Sequence, residues 1–190
     1  DAAGIRRALR GHPRLLARCS LPVTSPRGVT LVVTDLAVIA VRDRLVPRVP
    51  LLVKISPDLI ESELDDLLAV VMNCGIDGVI ATNTTLSREG LYQYATVSGG
   101  LSGAPLRARS TEIIRHIAQR TAGQLPIVGV GGIANADDAL EKIRAGAELI
   151  QVYTGLVYAG PALVRQINLG LVQACEREGV PNVASLARTL

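Results

Sequence analysis

The chain has no Trp and no Phe, four Tyr, one Met, two His and two Lys among its 190 residues. A nucleic-acid surface built on aromatic stacking needs side chains that are missing here. His12 and His116 stand alone, and the three cysteines, Cys19, Cys74 and Cys175, are far apart and odd in number. They carry no metal-ligand spacing and no disulfide framework, and free thiols of this kind point to a reducing compartment. No Ser/His/Asp set for nucleophilic catalysis stands out. No apolar run approaches the ~20 residues of a membrane-spanning helix, and no signal-peptide pattern opens the chain. Residue 1 is Asp rather than Met, so the natural N-terminus is expected to lie upstream.

What is present describes a globular chain. Hydrophobic residues make up 48% and charged residues 19%, enough to build a core, and the net charge is only +3. The basic residues near the start (Arg6, Arg7, Arg10, Arg14, Arg18 and Arg27) read as a solvated face rather than a phosphate or lipid surface.

From Pro50 onward the pattern is regular. LLVKIS (51–56) reads as a strand. SELDDLLAVVMNCG (62–75) reads as a helix with Ser62 as N-cap, Gly75 as C-cap, and Leu64, Leu67, Leu68, Val71 and Met72 on one apolar face. DGVIATNT (77–84) is the next strand, and a long loop with SGGLSGAPL (98–106) follows it. Then come a helix over 111–123, a strand over 126–132, a helix over 135–146 capped by Asn135, a strand over 148–155, and a last helix from Pro161 to about Glu178. Near-continuous apolar strands alternating with helices predict a parallel sheet, either doubly wound or closed as a (β/α) barrel. No GxGxxG opens a helix after a first strand, and polar residues and glycines collect just past the strand ends, which favours the barrel.

The chain is expected to be one partial barrel domain over 1–190, of about four to five βα units. Within it, 1–49 is divergent and 50–190 regular. Residues 1–18 suit an Arg-rich helix interrupted by Gly4, Gly11 and Pro13, residues 21–29 a loop, and residues 29–45 a strand or a helix.

Four places carry chemistry. Gly131 and Gly132 end a strand just before a helix, where bare amides suit a phosphate; a tight turn is the other reading. Tyr153-Thr154-Gly155 adds a hydroxyl one unit later and favours the phosphate. SGGLSG, with Ser102 and Gly103, offers amides and hydroxyls to an anion or a ring edge, or else is a flexible lid. Lys54 in a strand read as buried is costly unless it faces a ligand or a carboxylate, and Asn83, between Thr82 and Thr84, offers both donor and acceptor to a planar polar substrate. His116, mid-helix, reads as a surface residue.

In order, LLVKISPDL, IDGVIATNTTLSR, SGGLSGAPLR, PIVGVGGIANADDALEKIRAGAELIQVYTGLVYAGP and EREGVPNVASL resemble class 2 (quinone-dependent) dihydroorotate dehydrogenase, from about Leu51 to the C-terminus. The resemblance implies a (β/α)8 TIM barrel holding FMN at the strand C-termini. It implies oxidation of dihydroorotate to orotate with quinone as acceptor, in pyrimidine biosynthesis. It also implies peripheral association with a bacterial or mitochondrial inner membrane through an N-terminal segment that precedes this chain. By position, Lys54 and Thr82 match residues at the flavin, and Ser102 and Gly103 match the loop that covers it. Gly131, Gly132, Tyr153 and Thr154 match the phosphate cradle, and Asn83 and Thr84 match substrate-binding residues. No metal or nucleic acid is implied. PVTSPR (22–27) places Ser25 at the catalytic base, but Pro22 and Arg27 stand where the family has asparagines. Asp1 to Ala3 match a point past the third barrel strand, so the 190-residue chain by itself is expected to be without turnover.

Overall fold

The structure, a computed structural model, describes residues 22–24, 30–32, 43–44, 50–89 and 98–187. The chain divides into two compact units, Asp1–Leu51 and Leu52–Leu190. In the first, β1 (Pro22–Thr24) and β2 (Thr30–Val32) pair antiparallel with Pro22 opposite Val32 and Thr24 opposite Thr30. Residues 22–24, read above as loop, are therefore strand. The described part of 29–45 that is regular is also strand, as β-branched Thr30 and Val32 favour.

The second unit is built on four parallel strands in the order β3 (Leu52–Ile55), β4 (Gly78–Ala81), β5 (Ile127–Val130), β6 (Leu149–Gln151). Ile55 lies beside Ala81, Ala81 beside Gly129, and Val130 beside Gln151, so the four C-terminal ends line up along one rim. Helices make the crossovers: α1 (Glu61–Asn73), α2 (Arg107–Arg120) and α3 (Ala136–Arg144). A short 3-10 turn, Ala104–Leu106, leads into α2. After β6 come α4 (Thr154–Ala159), α5 (Ala162–Glu178) and α6 (Val183–Leu186). Each strand is followed by a helix, the βα succession of an α/β TIM-barrel type fold.

The core follows from the apolar spacing. Ile55, Val79, Ala81 and Ile127 are buried, as are Leu64, Leu67, Leu68 and Val71 of α1 and Ile113, Ile114 and Ile117 of α2. Each fully buried Ile or Leu contributes about 1.5–3 kcal/mol. Met72, predicted on the same face of α1, is exposed, whereas Val71 beside it in the last turn is buried. A second cluster joins α3, α5 and α6 through Ala139, Leu140, Ile143, Leu163, Ile167, Leu171 and Leu186.

Helix ends differ in detail from the sequence expectation. The N-cap of α1 is Ile60, not Ser62; the Ile60 amide donates to Glu63 Oε2 at 3.2 Å, so the N3 glutamate reaches back to the N-cap as it does in a capping box. Asn135 does cap α3: its Oδ1 accepts from the Asp138 amide at 2.9 Å. Helix α2 begins at Arg107, four residues earlier than predicted, because the turn over Ala104–Leu106 feeds directly into it. Thr154 does not end a strand but opens α4.

Candidate functional site

The rim of strand ends encloses one pocket, lined from every strand of the sheet. Strand β3 brings Lys54; the residues after β4 bring Thr82, Asn83 and Thr84. The loop before α2 brings Ser102 and Gly103, the turn after β5 brings Gly131 and Gly132, and the turn after β6 brings Tyr153, Thr154 and Gly155. All the site residues predicted in residues 50–190 therefore meet around the same space. Ser25 lies outside the described residues.

Backbone bonds hold the segment after β4. The Thr82 amide donates to the Val130 carbonyl at 2.9 Å and the Asn83 amide to the Ile55 carbonyl at 2.7 Å, which extends the sheet past its formal ends on both sides. Thr82 is buried and its hydroxyl donates to the Asn83 carbonyl at 3.0 Å. Asn83 Oδ1 accepts the Thr84 amide at 2.9 Å, which fixes the orientation of the carboxamide. Behind this segment Asp58 accepts two bonds, from the Thr85 hydroxyl and from the Leu86 amide, the latter at 2.8 Å.

The SGGLSG loop is pinned over these residues. Thr85 and Leu101 exchange two backbone hydrogen bonds, at 3.0 and 2.7 Å, and an Arg88 Nη2 donates to the Gly99 carbonyl. Gly100 presses so closely on Thr84 that a Cβ there would come within 1.9 Å of the Thr84 hydroxyl, so only glycine fits. On the far side, the Ser102 and Thr154 hydroxyls lie 2.8 Å apart. SGGLSG is thus a strap between the β4 and β6 turns, tied at both ends.

Gly131 and Gly132 have φ of +124° and +71°. A Cβ on Gly132 would come within 2.4 Å of Arg107 Cβ and 2.6 Å of Arg107 Cα. What lies close to this backbone is the first turn of α2, so the protein's own packing already requires the glycines. The same packing leaves their amides unspent: among the described residues no acceptor meets the amides of Gly103, Gly131 or Gly132. A half-buried amide without an acceptor is costly, and three lining one pocket suit an anionic oxygen. Residues 134–138, at the start of α3, do not line the pocket. The Ala134 and Asp138 amides are already taken by the side chains of Asp138 and Asn135, at 3.0 and 2.9 Å.

Behind the glycine turn lies a polar knot. Arg107 Nη1 donates to Asp138 Oδ1 at 2.6 Å, and Ser110 Oγ donates to the Val130 carbonyl at 2.7 Å. Thr111 Oγ1 donates to Glu141 Oε1 at 2.6 Å. Lys142 is 0% exposed and donates to the Arg107 carbonyl at 2.7 Å and to the Thr111 hydroxyl. Burial pulls the Lys142 ammonium down to about 8, against the opposing pull of Glu141. The hydrogen bond to Asp138, with the charges of Asp138 and Glu141, raises Arg107.

Two expectations need correction. Lys54 is exposed rather than buried, because β-strand alternation puts Ile55 into the core and Lys54 onto the pocket side. The buried lysine is Lys142, on the same face of α3 as Ala139 and Ile143, a spacing that was visible in the sequence. His116 is not a plain surface residue: its Nε2 lies 2.9 Å from Asp65 Oδ1 of α1 and it is half-buried. Sequence reasoning also passed over Leu106 and Gln151, both pocket residues; Gln151, polar inside an apolar strand, was the available signal. No group of residues suited to a metal ion occurs among the described residues.

The family model for dihydroorotate dehydrogenase matches residues 25–174. The dihydroorotate dehydrogenase (quinone) of Anaeromyxobacter sp. (strain Fw109-5) is 52% identical over 140 residues, covering 73% of this chain and 39% of that protein. The protein of the same name from Deinococcus radiodurans is 49% identical over 146 residues, covering 76% and 40%. Among solved structures, DHODH from Eimeria tenella in complex with ferulenol superposes with a TM-score of 0.70 at 39% identity, over 74% of this chain and 38% of that one. The chain spans about two fifths of the length of the curated relatives it matches. A family match across most of the sequence, relatives named for quinone as acceptor, and a shared strand-and-helix frame at 39% identity place it: the chain belongs to the dihydroorotate dehydrogenase family, in its quinone-dependent class.

Proposed function

We propose that residues 52–187 form the FMN-holding side of an enzyme that oxidises dihydroorotate to orotate with quinone as acceptor, in pyrimidine biosynthesis. The observation that carries this is the set of unspent amides of Gly103, Gly131 and Gly132, all lining one pocket together with polar side chains. These donors fit a phosphate monoester. The Gly131 and Gly132 amides, with the Thr154 hydroxyl and the Tyr153 turn, bind the phosphate of FMN. Lys54 and Thr82 sit at the ring, and Ser102 and Gly103 cover the cofactor from the strap. Asn83 and Thr84 orient the planar substrate, with the Asn83 carboxamide held by the Thr84 amide. Ser25 Oγ takes the proton from dihydroorotate; a serine is a weak base unless neighbouring groups activate it. Bound FMN supplies the two-electron acceptor between dihydroorotate and quinone. Because quinones dissolve in lipid, the whole protein works as a peripheral enzyme of a bacterial or mitochondrial inner membrane. No helix among the described residues is long and apolar enough to cross one.

Pro22 and Arg27, where the family has asparagines, favour a second reading, a phosphate-binding half-barrel without turnover. One experiment separates the two. The 190-residue chain is purified with FMN, then mixed with dihydroorotate and a soluble quinone. Flavin absorbance that co-elutes with the protein is expected, without bleaching by dihydroorotate. Bleaching would establish turnover in this chain alone and remove the second reading, whereas failure to retain flavin would remove both.

A further inference from the structure

The knot behind the glycine turn contains a lysine that the site does not use directly. Lys142 is the largest fully buried side chain in the described residues, and burying an ammonium is costly unless it is well partnered. An apolar residue would fill this place in the α2–α3 contact at less cost. What the ammonium does is specific: it crosses from α3 to the first turn of α2 and binds the Arg107 carbonyl, at 2.7 Å, and the Thr111 hydroxyl. Arg107 is the residue on whose backbone Gly132 rests, with its N, Cα and Cβ all within 2.8 Å of a Cβ built on Gly132. The same turn of α2 holds the strand end through Ser110 and the Val130 carbonyl. Asp138 closes the other side, accepting both Arg107 Nη1 and the Ala134 amide. The segment Val130–Ala134 is therefore gripped before, at and after its two glycines.

We infer that Lys142 is a positioning residue: by fixing the first turn of α2 to α3 it sets the aim of the Gly131 and Gly132 amides at a bound phosphate. The groups that face it are Arg107 and Arg115 of α2 and Asp138 and Glu141 of α3. Lys142 need not touch the ligand; it acts through the Arg107 backbone. The inference rests on the reading of the Gly131–Gly132 turn as the phosphate seat.

The test compares two probes, riboflavin and riboflavin 5′-phosphate, by flavin fluorescence titration on the full chain. Native protein should bind the phosphorylated probe more tightly. Lys142→Met should lower that preference by about tenfold, the size of one charge-assisted hydrogen bond, while leaving riboflavin affinity within about twofold. A purely structural lysine would weaken both probes alike, and that result, or an unchanged preference, overturns the positioning role. If Lys142→Met fails to fold by circular dichroism, Thr111→Val removes the other partner at constant shape and is read in the same way. A native chain that does not prefer the phosphorylated probe would refute the phosphate seat itself, and the inference with it.

Discussion

The pocket has two walls made in different ways. The β5 wall, Gly131–Gly132 with α2 and α3 behind it, is packed against Ser110 and Arg107 and backed by a buried ammonium. The β6 wall is open: Leu149 is 64% exposed, Tyr153 73% and Tyr158 87%, and β6 pairs with no further strand among the described residues. Both walls are apolar strands followed by glycine-bearing turns, so their sequences look alike. Rigidity in this fold comes from what stands behind a turn, and the β6 turn is held by the packing of Gly155 on the Ile133 carbonyl and by the contact of Thr154 with Ser102.

The largest expected effect is at the β5 wall. Gly132→Ala combines a left-handed φ with a clash against Arg107 backbone, and should cost about 2–5 kcal/mol in urea denaturation and abolish flavin retention. A loss under 1 kcal/mol would mean that this wall yields as easily as the other.

pH sharpens the contrast next. The folded-state value of Lys142, about 8, lies below its unfolded value of 10.5, so between these limits the unfolded chain binds more protons. Stability should rise as pH goes from about 8 to 10.5, and the rise should vanish in Lys142→Met; parallel denaturation curves for the two proteins across that window would contradict the burial of the charge. Smaller again is Asn135→Ala, which removes the α3 cap and should cost ~1 kcal/mol, seen as a lower melting temperature. Smallest is Tyr158→Ser on the open wall, expected to stay within about 0.5 kcal/mol of native. A larger loss there would show that something covers α4 in solution.

The strands and crossover helices were legible because their apolar spacing matches the two periods of regular structure. Asn135 was legible as a cap because a short polar side chain before a helix has one good use. The site was legible as a set of polar residues just past strand ends, in a fold that puts every strand end on one rim. The rest depended on tertiary contact. Pleat parity sends Lys54 to the pocket and Ile55 to the core, but a short apolar run such as LLVKIS does not declare its parity. Gly131 and Gly132 looked like room for a ligand and are first of all room for Ser110 and Arg107. The start of α4 at Thr154 was hidden because YTGLVYA has as much strand as helix character.

The strap has a further consequence. Its ends are clasped by the Thr85–Leu101 bonds and by Arg88 on Gly99, while Asp58 anchors the incoming side. Clasped there, the strap fixes where Ser102 and Gly103 sit, so a change at any one of these anchors would be read at the pocket rather than where it is made.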